Sequence, residues 1–208
     1  MCGIAGIYLQ PNTDAVRNMA AAMHHRGPDD SGLYADDTVA IAQARLAIID
    51  TTAGGHQPMA SNDGLVQIVY NGEVYNFQTE RALLESRGYR FKTTSDTEVV
   101  LRLYEEYGES FLSRLRGIFA LGIYDKRGGF GKEKLLLARD QFGVKPLLYA
   151  QIKGSLVFAS ELKALLASEL ISRQVDFESL QQLLSLGSVY QPKTLVEGVL
   201  SLPAAHYM

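Results

Sequence analysis

Short, continuously apolar runs alternate with amphipathic stretches along this chain. Seven of the runs have the length and composition of β-strands: residues 3–9, 38–49, 65–70, 118–124, 134–138, 147–150 and 156–159. In several of them the apolar residues occupy consecutive positions, a pattern typical of strands that are buried on both faces. The sequence therefore predicts sheets that are covered on both sides.

The amphipathic stretches predict helices between and after these strands. The first spans residues 13–24, with Val16, Met19, Ala20 and Met23 on one face. The second begins at Asn76, whose side chain we expect to cap it, and ends near Gly88; the third begins at Ser95, with Val99, Val100, Leu103 and Tyr107 on one side. A fourth is capped by Asp176 and stopped by Gly187, with Phe177, Leu180, Leu183 and Leu184 inside.

Strands buried on both faces together with helices predict sheets sandwiched between helix layers. The turn sequence Asn62-Asp63-Gly64 suits an antiparallel strand pair. A length of 208 residues allows one sizeable domain, or at most two small ones. We expect the domain to span residues 1–187 and residues 188–208 to begin a junction with an absent C-terminal domain; the alternative is a natural C-terminal arm.

Composition excludes several classes of function. The net charge of −3 gives no basic field for phosphate backbones or anionic lipid, so neither nucleic acid nor membrane is an expected partner. No apolar run approaches the roughly 20 residues that span a bilayer, and residues 1–11 lack the basic and long apolar regions expected of a signal peptide. The single cysteine excludes an internal disulfide and fits a reducing, cytoplasmic environment.

That single cysteine is Cys2, and its position is unusual. A lone cysteine in an intracellular protein is most often a small buried hydrophobe. If Met1 is removed, however, Cys2 carries a thiol with a reference pKa of about 8.5 and an α-amine with one of about 7.7–8.0. The amine is then a general base within covalent reach of the sulfur, so Cys2 is a candidate N-terminal nucleophile.

The sequence Asn71-Gly72-Glu73 directly after a predicted strand has two interpretations. Asn-Gly is a strong turn signal, and a plain turn is the favoured interpretation. Alternatively, Gly72 permits close backbone approach, so that its N–H and the Asn71 side chain stabilise an oxyanion. Amide hydrolysis through a thioester requires donors of this kind.

Two further charged residues are candidates for binding an amino acid. Ser95 and Glu98 form a predicted capping box, which leaves Asp96 free to offer its carboxylate to a ligand ammonium. Arg45 emerges from an apolar strand and needs an anionic partner, either an internal carboxylate or that of a substrate. The spacing of the four histidines does not resemble a metal site, and no phosphate-binding glycine loop is present, so we expect neither a metal nor a cofactor in this chain.

Ordered sequence blocks over nearly the whole chain resemble one enzyme family. It is the class II, N-terminal-nucleophile glutamine amidotransferases, and specifically the N-terminal half of glutamine-hydrolysing asparagine synthetases. The blocks are C-G-I-A-G at 2–6, H-R-G-P-D at 25–29, R-L-A-I-I-D at 45–50, Q-P-M at 57–59, Y-N-G-E-V-Y-N at 70–76, S-D-T-E-V at 95–99, G-I-F-A at 117–120, A-R-D at 138–140, G-V-K-P-L at 143–147 and S-E-L-K-A-L at 160–165.

The resemblance implies a fold, an activity and roles for individual residues. The fold is an α+β four-layer αββα sandwich, with two mainly antiparallel sheets between helix layers. Cys2 attacks the side-chain amide of L-glutamine to release ammonia, and Asn71 and Gly72 form the oxyanion hole. The resemblance assigns the binding of the glutamine to Arg45, Ile48, Asn71, Gly72, Glu73 and Asp96.

The resemblance also implies partners and leaves the acceptor open. Ammonia passes to a C-terminal synthetase domain that uses ATP and magnesium to convert aspartate to asparagine, and a homodimer is a further expected assembly. Leu202-Pro203-Ala204-Ala205-His206 departs from the usual L-P-P-G-H near the junction with the absent domain. Relatives of this architecture amidate other carboxylates, so a different acceptor remains an alternative, as does a non-catalytic regulatory domain.

Overall fold

Two antiparallel sheets lie face to face in the computed structural model, which describes all 208 residues. The larger has six strands in the order β10-β8-β9-β1-β3-β2, and the smaller has four in the order β4-β5-β6-β7. The strands are β1 (Gly3–Tyr8), β2 (Asp30–Ala35), β3 (Val39–Arg45), β4 (Met59–Ala60), β5 (Val66–Val74), β6 (Gly117–Asp125), β7 (Lys134–Arg139), β8 (Leu148–Ile152), β9 (Ser155–Ala159) and β10 (Leu200–Ser201).

Helices cover the outer face of each sheet. The helices are α1 (Thr13–Ala22), α2 (Phe77–Ser86), α3 (Asp96–Tyr107), α4 (Leu162–Ala167) and α5 (Phe177–Leu186), with short 3₁₀ segments at Ala53–Gly55 and Gly108–Arg114. Helices α1 and α4 pack on the six-stranded sheet, and α2 and α3 lie on the four-stranded sheet. Apolar residues lie between each sheet and its helices, and a further apolar layer, which includes Ile4, Ile41 and Phe158, fills the space between the two sheets. The predicted αββα sandwich is thereby confirmed.

Two secondary-structure predictions are wrong: the end of the predicted strand at 38–49 and the turn predicted at 71–73. The predicted strand at 38–49 ends at Arg45, because the chain leaves the sheet there and exposes Ile48. The favoured turn at Asn71-Gly72-Glu73 is not a turn. Strand β5 continues to Val74 and pairs with β6 throughout, so the ladder overrides the local Asn-Gly preference.

The helix caps follow the prediction only in part. Asp176 accepts the N–H of Ser179 and Gly187 adopts the left-handed conformation, as expected. Ser95 also caps its helix, but Glu98 bonds the N–H groups of residues 92 and 93 in place of that of Ser95, so the capping box is wrong. Asn76 does not cap α2 with its side chain, which instead bridges two backbone groups in the segment after α3.

Helix α5 is less buried than its apolar pattern predicts. Ser179 is its buried residue, whereas Phe177 is 80% exposed and Leu184 is 78% exposed. Periodicity indicates an apolar face, and this chain supplies no element that covers it. The expectation that Phe177 and Leu184 lie inside is therefore wrong for this domain.

Residues 188–208 pack on both sheets. Strand β10 pairs with β8, Leu202 joins the apolar layer between the sheets, and Tyr207 forms a bridge with Ala138 of β7. The segment is thus held as an integral edge of the fold, and its role as a junction stays a prediction. None of the five helices is long and apolar enough to cross a membrane.

Candidate active site

A cavity of about 230 Å³ lies where the start of β1 faces β5 across the two sheets. Every site residue predicted from the sequence lines this cavity: Cys2, Arg45, Ile48, Asn71, Gly72, Glu73 and Asp96. They come from a strand start, a strand end, the middle of another strand and a helix N-terminus. The fold therefore brings together groups that are separated by up to 94 positions in the sequence.

Strand pairing places Cys2 beside the loop that follows β3. Gly3 pairs with Ala44, so Cys2 lies level with Arg45 and Leu46. The Cys2 Sγ accepts the Leu46 N–H at 3.4 Å and lies 3.6 Å from the Leu46 carbonyl oxygen. With Met1 attached, the free amine belongs to Met1 and donates to the Arg26 carbonyl at 3.1 Å.

Arg26 holds the backbone of the cysteine and was not predicted as a site residue. Its Nε donates to the Cys2 carbonyl at 2.8 Å, and its Nη1 donates to Glu161 at 2.8 Å. Burial raises the pKa of Glu161, but hydrogen bonds from Arg26 and His25 outweigh this effect and lower it. An ionised Glu161 therefore anchors the guanidinium that fixes the main chain at Cys2.

Strand β5 presents hydrogen-bond donors to the cavity. At both ends of the strand it is the odd-numbered residues that bond β6: the Leu65 carbonyl accepts from Lys126, and the Tyr75 N–H donates to Arg116. Because the direction alternates along an antiparallel strand, the N–H of Gly72 points away from β6. Beside it, the Asn71 side-chain nitrogen is buried and has no hydrogen-bond partner.

Two carboxylates, those of Glu73 and Asp96, also line the cavity. Asp96 is almost fully buried and accepts from Tyr70 Oη at 3.0 Å and from the Val74 N–H at 3.2 Å. Burial raises the pKa of Asp96 despite these bonds, and the nearby charge of Glu73 acts in the same direction. A ligand cation at this point would relieve both effects.

Arg45 lies buried at the end of β3 with mostly neutral partners. Its guanidinium donates to the carbonyl oxygens of Asp50 and, at 3.1 Å, Thr52, while the nearest carboxylate, that of Asp30, is 4.0 Å away. A Cβ at Gly55 would collide with the guanidinium, so a glycine is required for this approach. The buried positive charge is thus held in place by carbonyl groups and is not neutralised by a contacting anion.

A family profile described as a glutamine amidotransferase domain matches residues 1–208. The chain belongs to this family. Its curated relatives include asparagine synthetase [glutamine-hydrolyzing] 1 of Bacillus subtilis, which is 40% identical over 94% of this chain. Asparagine synthetase B [glutamine-hydrolyzing] of Escherichia coli is 42% identical over 79% of it. The present domain spans about a third of these relatives, 31% and 30% of their lengths.

The fold of this amidotransferase domain also resembles that of a solved relative. A glutamine phosphoribosylpyrophosphate amidotransferase from Bacillus subtilis superposes with a TM-score of 0.70 over 100% of the chain and 49% of its own length. The sequence identity is 21%, so the likeness concerns the fold alone. The resemblance to class II glutamine amidotransferases inferred from the sequence blocks is confirmed.

Several residues that shape the amidotransferase site escaped prediction. Gln57, Thr97 and Lys145 line the cavity. Asp50 ties the loop after β3 to Thr94, because its Oδ2 accepts from the N–H and hydroxyl of Thr94 while its Oδ1 accepts from those of Thr52. Asp50, Gln57, Thr97 and Lys145 lie in the blocks at positions 45–50, 57–59, 95–99 and 143–147, but no local pattern indicated which member of each block faces the cavity. The structure has no group of three or more His, Cys, Asp or Glu side chains placed to hold a metal ion.

Proposed function

We propose that this domain hydrolyses L-glutamine to glutamate and ammonia through a thioester on Cys2. The observation that carries the proposal is the pairing of a lone cysteine at position 2 with two donors in one cavity: Asn71 Nδ2, which is buried without a partner, and the Gly72 N–H, which points away from β6. A carbonyl carbon attacked by the thiolate develops an oxyanion, and such donors stabilise it.

The remaining charges match the other end of the substrate. Glutamine carries an α-carboxylate and an α-ammonium. Arg45 offers a buried guanidinium without a contacting anion, and the buried carboxyl of Asp96 together with the half-buried Glu73 offers negative charge. Ile48, which is exposed, lines the same cavity. This arrangement supports recognition of a free amino acid in a single orientation.

The chemistry requires that Met1 be removed. The new α-amine of Cys2 takes the thiol proton, the thiolate bonds to the carboxamide carbon, and the C–N bond breaks as the ammonium returns its proton to the departing ammonia. Water, deprotonated by the same amine, then attacks the thioester and releases glutamate and the thiol. While Met1 is attached, the Cys2 nitrogen belongs to an amide and cannot act as this base.

Three forms of the chain test this proposal. The form that begins at Cys2 should release ammonia from glutamine and form γ-glutamyl hydroxamate when hydroxylamine intercepts the thioester. The form that retains Met1 and the Cys2→Ala variant should do neither. If the form beginning at Cys2 shows neither product, the domain is a non-catalytic member of the family.

We also propose that the ammonia serves an ATP-dependent synthetase domain that makes asparagine from aspartate. The names of the Bacillus subtilis and Escherichia coli relatives support this acceptor, and their greater length leaves room for such a domain. Another relative, named amidase chyE of Penicillium rubens, is 36% identical over 80% of the chain. Its name does not include asparagine, so a different acceptor is the alternative. The test is to supply aspartate, ATP and magnesium to the full-length polypeptide and to measure asparagine. Formation of asparagine supports aspartate as the acceptor, and its absence supports a different acceptor.

A further inference from the structure

The strand that carries the proposed oxyanion donors lacks a partner strand at the critical point. Strand β4 consists of Met59 and Ala60 and pairs only with Ile68 and Gln67 of β5. The even-numbered residues of β5 direct their backbone groups towards this side, as the Ser61 N–H bond to the Val66 carbonyl shows. At Tyr70, therefore, an N–H and a carbonyl face a position that no strand occupies.

Two buried glutamine side chains occupy that position. Gln57 Oε1 accepts the Tyr70 N–H at 2.7 Å, and Gln43 Nε2 donates to the Tyr70 carbonyl at 2.7 Å. The Gln57 amide also donates to Thr97 Oγ1 at 3.1 Å, next to Asp96. The two side chains thus bond both backbone polar groups of Tyr70, the residue that precedes Asn71.

Gln43 is an unexpected residue for its position. It lies on β3, opposite Ile4 of β1, on the same face as Val39 and Ile41, which belong to the apolar layer between the sheets. It is completely buried, and its own Oε1 has no partner. An unpaired buried acceptor is unfavourable, so an apolar residue would suit the layer better unless the Nε2 donor were needed.

From these contacts we infer that Gln43 and Gln57 are positioning residues for the oxyanion hole. Gln43 belongs to the sheet that carries Cys2, and the Tyr70 carbonyl belongs to the sheet that carries Asn71 and Gly72. The Gln43–Tyr70 hydrogen bond therefore sets the distance between nucleophile and oxyanion donors, which otherwise depends on apolar packing that tolerates small sliding movements. This inference rests on the proposed glutaminase function and adds to it the means by which the two halves of the site are aligned.

Methionine substitutions test the inference in the form that begins at Cys2. Gln43→Met and Gln57→Met keep the length of the side chain and remove the hydrogen bond to Tyr70. Misplacing the donors should lower kcat for glutamine roughly 10- to 100-fold, with KM changed by less than about threefold. Alkylation of the thiol by iodoacetamide needs no oxyanion hole, and Cys2 is the only cysteine, so its rate should stay within about twofold of wild type.

The chain offers a matched control. Gln67 is a buried glutamine on the same strand, 5% exposed, and its amide contacts only the Gly64 carbonyl of a turn at 3.4 Å. Gln67→Met should leave both turnover and alkylation unchanged. If it lowered kcat as much as Gln43→Met, a general loss of strand order would be the cause and the inference would be wrong.

Two other results would overturn the inference. One is a Gln43→Met enzyme with kcat within about threefold of wild type, and the other is a parallel fall in turnover and alkylation, which indicates a disordered site. If Gln43→Met does not give folded protein, the same criteria are applied to Gln57→Met. An inactive wild type would contradict the proposed function instead, so the two failures are distinguishable.

Discussion

Replacing Asn71 with alanine should separate catalysis from stability, because its side chain bonds nothing within the protein. The Asn71 side-chain nitrogen is buried without a partner, and the residue is 1% exposed. Loss of one preorganised oxyanion donor typically lowers kcat by about 10²–10³, or about 2.7–4 kcal/mol of transition-state stabilisation. We expect that loss with little change in KM, because the donor acts when the oxyanion forms.

The same substitution should hardly change the free energy of unfolding. No intramolecular hydrogen bond is lost, and removal of an unpaired buried donor offsets part of the lost packing, so the change should stay below about 1 kcal/mol. Ammonia release gives kcat and KM, and urea unfolding of the same samples gives the stability.

Asn76 provides the contrasting control for this experiment. It follows the same strand, donates to the Arg114 carbonyl at 3.0 Å and accepts the Arg116 N–H at 3.0 Å. Asn76→Ala should therefore lower the free energy of unfolding by about 1–3 kcal/mol, from two lost bonds, and leave kcat unchanged. The reasoning is refuted if Asn71→Ala loses comparable stability while kcat falls less than about tenfold.

Three further substitutions test other parts of the site. In Gly72→Ala the new Cβ would lie 2.5 Å from the Ile118 carbonyl oxygen, so urea unfolding should show a loss of about 1–3 kcal/mol together with impaired turnover. Arg45→Lys removes the planar fork for a substrate carboxylate, and the KM for glutamine should rise about tenfold or more in steady-state assays. Burial raises the pKa of Asp96, so the folded state loses stability as the pH rises above the ordinary aspartate pKa, and the loss is complete above the raised value. Asp96→Asn should then raise Tm at neutral pH and lose this advantage below the ordinary aspartate pKa. Added glutamine should raise the Tm of the wild type but not that of Asp96→Asn. If glutamine raises both Tm values equally, Asp96 does not belong to the binding site.

Several residues that line the cavity could be predicted from the sequence because the prediction depends on residue types. A cysteine at position 2, an arginine at the end of an apolar run and an aspartate at a helix start each carry their meaning locally. The strand-or-turn decision at Asn71-Gly72 was not local. Asn-Gly favours a turn, but pairing of Asn71 with Ala120 and Gly72 with Phe119 keeps both residues in the ladder. Only the partner strand resolves that competition.

The contacts that Arg26 and Gln43 make could not be predicted from the sequence. Arg26 reaches Cys2 across 24 positions, and Gln43 reaches Tyr70 across 27 positions and between two sheets. Nothing in the spacing along one strand indicates such a contact. Helix α5 shows the converse: its pattern correctly indicates an apolar face but carries no information about whether another element covers it.

The incomplete edge of β5 explains why side chains bond the strand backbone on either side of Gly72. Every buried backbone donor and acceptor needs a partner, and β4 supplies none beyond its two residues. At Tyr70 the partners are glutamine side chains, and at Val74 the partner is Asp96, so the even-numbered edge is satisfied on either side of Gly72. The Gly72 N–H lies between them without a strand to receive it. A longer β4 would consume that donor, and the short strand is therefore a requirement of the oxyanion hole that we propose.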